Sequence, residues 1–427
     1  MKLSDFVADF FAKAGLKHVF MLTGGGSMHL NDSFGRHADL EVICNHHEQA
    51  SAMAAESYGR LINKPAIVNV TTGPGGINAI NGVFGAWTDS TPMIIISGQV
   101  RYDTTIAGCG LPNLRQMGDQ ECDIIRMVKG ITKYALTVID PLDIQYHLQK
   151  ALYLTQHGRP GPVWLDIPMN VQGALIDESA LRQFDSSMED TLESIPAISD
   201  ATVQAILEKL QNALRPVILV GAGIRIAGAH ADFLTLLETL KIPVVTAWNA
   251  HDVLPDCHPL YVGRPGTIGN RAGNFAVQNA DVLLILGSRL NIRQISYNWA
   301  SFARDAYKIM IDIDPLELQK PTLKLDLPIH GDVADFIAQA QAQLTHVKPF
   351  DHAAWLAWCK ARVAKYPVVL PEYWQAPGLV NPYCFMQALS QQLPENQVIV
   401  SANGTACVSS FQAMELKSGQ RLYTNSG

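Results

Sequence analysis

The chain has 427 residues, of which 48% are hydrophobic and 17% are charged, and its formal net charge is −7. This length allows two or three domains with separate cores, and the composition excludes a largely disordered chain. The basic residues are dispersed along the sequence, so the charge pattern argues against nucleic acid as a partner.

Cysteine usage and the N-terminus indicate the compartment. Seven cysteines are scattered without a C-x-x-C pair, so we expect neither a disulfide framework nor a zinc site, and we place the protein in a reducing cytoplasm. The opening MKLSDFVADFFAKAGL carries Asp5 and Asp9 inside its apolar pattern, which predicts an amphipathic helix rather than a signal peptide. No apolar run approaches the ~20 residues that cross a bilayer, so we expect no membrane partner.

Between residues 1 and 171 the sequence alternates helix-forming stretches with short apolar runs. Continuous apolar runs are typical of strands that are covered by helices on both faces. We therefore predict an α/β domain with a largely parallel sheet. The predicted strands are 18–22, 40–45, 66–71, 93–98, 133–138 and 163–167.

The later chain divides into four further parts. Residues 172–199 are acidic and include Asp185-Ser186-Ser187-Met188-Glu189-Asp190, which predicts a linker. A central α/β domain follows over 200–345, with strands at 216–220, 243–247, 282–286 and 308–312. A connector over 346–377 leads to a third segment, 378–427, with helices at 382–391 and 406–414 and a strand at 397–401. A segment this short buries little apolar surface, so we expect an incomplete domain.

Glu48 stands where an apolar run gives way to the helix-forming stretch QASAMAAESYGR. This junction lies at the carboxyl edge of the predicted sheet, where α/β folds bind ligands. A carboxylate that favours the helix dipole is the alternative interpretation. The loop Gly73-Pro74-Gly75-Gly76 also follows a strand and allows a close approach of the backbone to a ligand, as does Gly24-Gly25-Gly26. Each loop is equally consistent with a tight turn.

Other motifs are weaker evidence for a ligand-binding site. Gly221-Ala222-Gly223 resembles the opening of a dinucleotide-binding turn, but Ile226 occupies the place of the third glycine, and packing of the helix on the sheet explains it as well. Asp312 and Asp314 close a later strand and could meet a ribose or form an ordinary turn. The adjacent His46 and His47 favour structural roles, and we predict no metal ligands in this chain.

Several stretches together resemble the thiamine-diphosphate enzymes of the acetolactate synthase group. They are HHEQASAMAAESYGR, TTGPGGINAINGVFGAWTDSTPMIIISGQV, Gln120-Glu121, GRPGPVWLDIP and IDIDP. The resemblance implies a pyrimidine-binding domain (1–171), a central domain, and the start of a diphosphate-binding domain. It also implies a homodimer or tetramer with the site between subunits.

The resemblance implies roles for individual residues. Glu48 falls on the glutamate that activates the cofactor by sharing a proton with its pyrimidine ring. The implied contacts are Glu48 and Gln120 as catalytic residues, Gly25, Pro74, Gly75, Asn78 and Gln99 for thiamine diphosphate, and Gly221, Gly223, Arg289 and Asp312 for FAD. FAD is a candidate only, because relatives keep the central domain without the flavin.

The implied reaction is decarboxylation of a 2-oxo acid followed by transfer of the acyl carbanion to a second carbonyl compound. A simple 2-oxo acid decarboxylase and a non-catalytic nucleotide-binding remnant are the alternatives. Asp119 replaces a phenylalanine of the family, so we expect a different acceptor pocket.

The family's magnesium motif G-D-G is not found in the sequence. Gly331-Asp332-Val333 matches the end of the central domain instead. The runs Asn403-Gly404-Thr405 and Thr424-Asn425-Ser426-Gly427 resemble the approach to the motif, so we expect the Mg²⁺ ligands beyond residue 427.

Overall fold

The structure is a computed structural model that describes residues 1–111, 113–189, 194–344, 350–375 and 377–424. It divides into two compact units, Met1–Glu193 and Ser194–Ser426. The finer division into three domains with a linker (172–199) and a connector (346–377) stays a prediction. Parts of these predictions, at Asp190, at 191–193, 345–349 and 376, and at Asn425-Ser426-Gly427, lie outside the described residues.

The first unit is built on a six-stranded, all-parallel sheet with the order β2-β1-β3-β4-β6-β5. Its strands are β1 (His18–Met21), β2 (Glu41–Cys44), β3 (Ala66–Val70), β4 (Met93–Gln99), β5 (Tyr134–Thr137) and β6 (Pro162–Pro168). Its helices are α1 (Leu3–Lys13), α2 (Met28–Arg36), α3 (Glu48–Ile62), α4 (Pro74–Thr88), α5 (Ile106–Cys109), α6 (Ile124–Val128), α7 (Ile144–Gln156) and α8 (Met169–Gln172).

The central strands of this sheet are apolar because both faces are covered. Every residue of β3, β4 and β6 is buried, and two clusters of apolar side chains lie on opposite faces of the sheet. Because parallel strands end at one edge, the turns after β1, β2, β3 and β4 gather there. Helices α3 and α4 start at this edge. The His47 side chain caps α3 by accepting a hydrogen bond from the Gln49 N–H, and Pro74 occupies the first position of α4.

The second unit contains another six-stranded, all-parallel sheet, ordered β12-β11-β10-β7-β8-β9. Its strands are β7 (Pro216–Val220), β8 (Val244–Thr246), β9 (Tyr261–Gly263), β10 (Val282–Leu286), β11 (Tyr307–Asp312) and β12 (Leu327–His330). Its helices are α9 (Asp200–Asn212), α10 (Gly223–Ile226), α11 (His230–Leu240), α12 (Arg271–Asn279), α13 (Ile292–Ile295), α14 (Val333–Leu344) and α15 (Ala353–Lys365). The α/β class and the parallel sheets predicted from the sequence are confirmed.

The C-terminal part of this unit adds a parallel pair, β13 (Val398–Val400) and β14 (Arg421–Tyr423), with helices α16 (Pro382–Gln392) and α17 (Thr405–Ala413). It packs on the central sheet of the unit, where the Phe411 ring stacks on Trp248 with 4.3 Å between ring centroids. Among the described residues, no helix is long and apolar enough to span a membrane.

Two strands of the second six-stranded sheet were not predicted, β9 and β12. Both lie at the edges of the second sheet, and β12 contains Pro328. An edge strand needs hydrogen bonds on one side only and tolerates proline, so its sequence carries a weak strand pattern.

Candidate active site

The turns at the carboxyl edge of the first sheet touch one another through glycines. A Cβ built on Gly24 would lie 2.5 Å from Thr71 Cβ, and one built on Gly26 would lie 1.8 Å from Thr72 Oγ1. A Cβ on Gly98 would lie 2.1 Å from the Gly26 oxygen. The turn after β1 therefore packs directly against the turn after β3 and the end of β4, and side chains at these glycines would prevent this packing.

Glu48 is the first residue of α3 and is buried, with 7% of its surface exposed. Its Oε2 accepts a hydrogen bond from the Asn78 side-chain amide on α4 at 3.0 Å. A Cβ on Gly75 would lie 3.3 Å from Oε1 and 2.7 Å from Thr71 Cγ2. The structure thus brings Glu48, Gly75 and Asn78 together, with the absence of a side chain at Gly75 leaving room beside the carboxylate.

Gln120 reaches the same place from a distant part of the chain. Gly73 has a φ of +54°, and a Cβ on it would lie 2.0 Å from the Gln120 oxygen. Gln120 itself has a φ of +61°, in the left-handed region that few residues other than glycine adopt, and its side chain is exposed. Gly73 tolerates this close approach because it lacks a Cβ.

The other predicted residues of this site differ in accessibility. Pro74 is exposed at the start of α4, and Gly25 is exposed with no atom within 4 Å of a Cβ built on it. Gln99 is buried, and its Nε2 donates to the Cys122 oxygen at 3.0 Å and to Asp166 Oδ2 at 3.2 Å. The Gln99 amide therefore supports the loop above it, and its predicted approach to the thiazolium stays a prediction.

Sequence reasoning assigned no role to Asp166, although the residue lies in the quoted stretch GRPGPVWLDIP. It is buried on β6 and accepts hydrogen bonds from Ser97 Oγ at 2.6 Å, Gln99 Nε2 at 3.2 Å and Thr137 Oγ1 at 3.3 Å. Burial raises the pKa of Asp166 to about 7, while these hydrogen bonds act in the opposite direction. A lone carboxylate within a continuous apolar strand was the signal that could have found it.

In the second unit the glycine turn after β7 packs against the end of β10. The Gly221 N–H donates to the Leu286 oxygen at 2.9 Å, and the Gly223 N–H donates to the Gly287 oxygen at 3.0 Å. A Cβ on Gly221 would lie 2.1 Å from that Gly287 oxygen. These two amides are therefore used within the protein, whereas a phosphate cradle needs amides that point to a ligand.

The remaining residues predicted for FAD, Arg289 and Asp312, make contacts within the protein and are not part of the lining of one small cavity in this unit. Asp312 Oδ1 accepts a hydrogen bond from the Asp314 N–H at 3.0 Å, and the Arg289 backbone oxygen accepts one from Lys320. The cavity is lined by Trp248, His251, Arg264, Pro265, Gly266, Ile268, Gly269, Arg293 and Gln294. Arg289, Asp312 and the glycine turn at Gly221 and Gly223 do not belong to this lining.

Within the described ranges, no group of three or more His, Cys, Asp or Glu side chains is arranged to hold a metal ion. His46 and His47 are both exposed, and His47 acts as the cap of α3.

Each of the two units contains a region that matches a known domain family. Residues 1–127 match the N-terminal TPP binding domain of thiamine pyrophosphate enzymes, and residues 203–340 match their central domain. The acetolactate synthase large subunit of Lactococcus lactis is 30% identical over 424 residues, which cover 99% of this chain and 70% of that protein. The chain belongs to the thiamine pyrophosphate enzyme family. The predicted resemblance is confirmed.

Other family members align over a smaller share of their length. The probable acetolactate synthase large subunit of Methanocaldococcus jannaschii is 32% identical over 362 residues, which are 83% of this chain and 58% of that protein. The acetolactate synthase large subunit of Corynebacterium glutamicum is 30% identical over 412 residues, 96% of this chain and 63% of that protein. The chain thus spans between 58% and 70% of the length of these three thiamine pyrophosphate enzymes.

Proposed function

We propose that this chain carries the cofactor-activating part of a thiamine-diphosphate enzyme of the acetolactate synthase type. Such an enzyme decarboxylates a 2-oxo acid and transfers the acyl carbanion to a second carbonyl compound. The observation that carries the proposal is the buried Glu48 carboxylate, held by Asn78 and adjoined by Gly75 at the carboxyl edge of a parallel sheet. Its support is that the N-terminal family domain matches the residues that contain all three.

The residues of this edge fit the needs of the pyrimidine ring. Thiamine diphosphate supplies a nucleophilic carbon and an electron sink when it is bound. Glu48 would hold a proton at a carboxylate oxygen for the pyrimidine nitrogen, while the Asn78 amide fixes the orientation of the carboxylate. Pro74 and Gly75 would line the ring, and Gly25 would leave open space for the reacting end of the cofactor. Gln120 would contact the substrate from the facing loop.

We also propose that a second copy of the chain packs beside this site. Helix α4 begins at the site, and it exposes Ile77 by 42% and Phe84 by 49%. These residues are seven positions apart and lie on one face of the helix. A second copy packed on this face, in a homodimer or tetramer, would bury the apolar side chains and exclude water near Glu48.

The residues that the structure describes fit neither the metal nor the flavin. The family holds the diphosphate through Mg²⁺, whereas no group of three or more metal-ligating side chains is arranged for an ion among the described residues. For FAD, the packed turn at Gly221 and Gly223 does not fit a phosphate, because both amides already donate to backbone oxygens. We therefore give FAD no part in the proposed reaction.

A simple 2-oxo acid decarboxylase is the near alternative. Asp119 is exposed beside Gln120, where the family resemblance has phenylalanine, so a carboxylate replaces an apolar group near the expected acceptor. Product analysis with and without an added aldehyde or keto acid distinguishes the two reactions. A carboligation product supports the synthase, and an aldehyde as the single product in both cases supports the decarboxylase.

The experiment that tests the role of Glu48 is exchange of the thiazolium C2 proton in the enzyme loaded with thiamine diphosphate and Mg²⁺. Glu48→Gln should slow exchange on the order of a hundredfold or more, because general acid-base catalysis by one side chain contributes that much. Glu41→Gln, a change of an exposed carboxylate in the same unit, serves as the control. Unchanged exchange in a Glu48→Gln variant that binds the cofactor would overturn the proposal.

We also place the protein in the cytoplasm. Its support is that all seven cysteines are free in the structure, three of them buried, as is usual in a reducing compartment.

A further inference from the structure

The loop 100–122, described except for residue 112, follows β4 and brings Gln120 to the glycine turn. It contains the short 3-10 helix Tyr102–Thr104 and the four-residue helix α5, so its path depends strongly on side chains that tie it together. The groups that fix this path also decide where Gln120 lies.

One carboxylate joins separate parts of this loop. Glu121 Oε1 accepts a hydrogen bond from the Ile106 N–H at 2.5 Å. Its Oε2 accepts hydrogen bonds from the Met117 N–H at 2.9 Å and the Gly118 N–H at 3.0 Å. Hydrogen bonds from backbone N–H groups to a carboxylate are charge-assisted and stronger than neutral ones. Glu121 thus binds the beginning of α5 to the end of the loop.

Two further contacts define the loop around it. Gln99 closes the base of the loop, since its Oε1 accepts from the Val100 N–H at 3.1 Å and its Nε2 donates to the Cys122 oxygen at 3.0 Å. Gly118 packs inside the loop, where a Cβ would lie 2.7 Å from Val100 Cγ2 and 2.8 Å from the Thr104 oxygen. The backbone on both sides of Gln120 is therefore fixed, by the Glu121 carboxylate at Met117 and Gly118 and by the Gln99 amide at Cys122.

Gln120 needs this fixation because of its own conformation. Its φ of +61° is unfavourable for a residue with a side chain, and its oxygen lies against Gly73 without space for a Cβ there. A strained conformation persists when surrounding contacts determine it. The Glu121 side chain supplies such contacts directly after Gln120.

We propose that Glu121 is a positioning residue that holds Gln120 against the glycine turn at Gly73 and so sets the position of the Gln120 side chain in the site. The part of this inference that concerns turnover rests on the proposed function. The part that concerns the loop depends on the fold alone, so two independent measurements test them.

The first measurement is hydrogen-deuterium exchange of the cofactor-free protein. Glu121→Gln keeps the shape of the side chain but replaces one accepting oxygen by an NH₂ group, which cannot accept from a backbone N–H. Peptides that cover 102–118 should exchange about tenfold faster or more, since bonds to the carboxylate are lost. Peptides of β3 and β4 should be unchanged. Glu178→Gln, which removes the same charge from an exposed position of this unit, should leave the loop as in the wild type.

The second measurement is a double-mutant cycle on kcat/KM of the loaded enzyme. Glu121→Gln should lower kcat/KM by at least about tenfold, because small misplacement of a group in the site can reduce the rate by up to about a hundredfold. In a Gln120→Ala background the same change should lower it less than about twofold, because the side chain to be positioned is gone.

The hold of Glu121 on the loop and its effect on turnover through Gln120 can fail separately. Unchanged exchange of the loop in Glu121→Gln overturns the inference whatever the kinetics show, and equal losses in both backgrounds overturn the link to Gln120. A Gln120→Ala variant with wild-type turnover overturns the role of Gln120 in the proposed function, and the exchange result then decides the positioning of the loop by itself.

Discussion

The Asn78 side chain donates its amide hydrogen to Glu48 Oε2 over 3.0 Å and so connects helix α4 to the first residue of α3. Replacing this donor by a carboxylate should place two acidic groups in contact. We expect Asn78→Asp to lower the free energy of unfolding at pH 8 by about 1 kcal/mol or more relative to Asn78→Ala, through like-charge repulsion. Urea unfolding of the two variants at pH 8 measures it.

A double variant controls for effects that are unrelated to Glu48. In Glu48→Gln/Asn78→Asp the repulsion has no partner, so the penalty at pH 8 should disappear. A penalty of the same size in both backgrounds would contradict the close pairing of the two side chains.

Gly73 and Gly25 lie in the same site but differ in the space available for a Cβ atom. Gly73→Ala introduces a Cβ at a positive φ and 2.0 Å from the Gln120 oxygen, so it should destabilise the protein by about 1–3 kcal/mol. Gly25→Ala meets no atom within 4 Å, and its effect on stability should stay within about 0.5 kcal/mol. Thermal unfolding of the two cofactor-free variants checks this contrast.

The Gly25 variant also tests the open space beside it. If thiamine diphosphate occupies this space, Gly25→Ala should weaken cofactor binding in calorimetry with Mg²⁺ while leaving stability intact. Wild-type affinity in a stable Gly25→Ala protein would show that the cofactor does not approach this glycine.

The residue pattern alone predicted the local features of this site, the family resemblance implied that Asn78 and Gln120 belong to it, and the contacts that support them were not predicted. The junction at Glu48 and the turn at Gly73 follow from neighbouring residues, because strand, turn and helix patterns are local. The bonds from Glu121 to Ile106 and from Gln99 to Asp166 join residues 15 and 67 positions apart, so only the tertiary fold brings them together.

The glycine turn at Gly221 shows another limit of local patterns. A G-x-G sequence after a strand permits close backbone contact, but it does not say what makes the contact. Here the amides of Gly221 and Gly223 face the end of a neighbouring strand, at Leu286 and Gly287. That neighbour comes from a distant part of the sequence and could not be read from the motif.

Asp166 should make stability depend on pH. Burial raises its pKa from 3.8 to about 7, so between these values the folded protein keeps a proton that the unfolded chain has released. The free energy of unfolding therefore falls as the pH rises through this window, with a contribution of about 1.4 kcal/mol per pH unit from this residue. In Asp166→Asn, urea unfolding from pH 4 to 7 should show a flatter dependence by about that slope. An unchanged slope would contradict a proton held at Asp166.

Arg264 attaches the C-terminal part of the second unit to its central sheet. Its guanidinium is 2% exposed and donates to the Phe411 oxygen at 2.8 Å, the Met414 oxygen at 2.9 Å and Asp256 Oδ2 at 2.7 Å. Arg264→Met removes all these donors and leaves Asp256 without its charge partner. The Asp256 side chain is 27% exposed, so most of the cost comes from the two carbonyl oxygens that lose their donor. Leaving a buried acceptor unsatisfied costs about 1–3 kcal/mol, so the free energy of unfolding should fall by about 3 kcal/mol.

The same variant should loosen α17, since the carbonyl oxygens of Phe411 and Met414 lose their donor. We expect limited proteolysis to cleave near residues 405–416 faster in Arg264→Met than in the wild type. Arg304→Met is the matched control, because Arg304 pairs with Asp305 at 3.5 Å on the surface and its side chain is 68% exposed. It should change stability by less than about 0.5 kcal/mol and leave the cleavage rate unaltered. Equal effects of the two substitutions would contradict the role of Arg264 in this attachment.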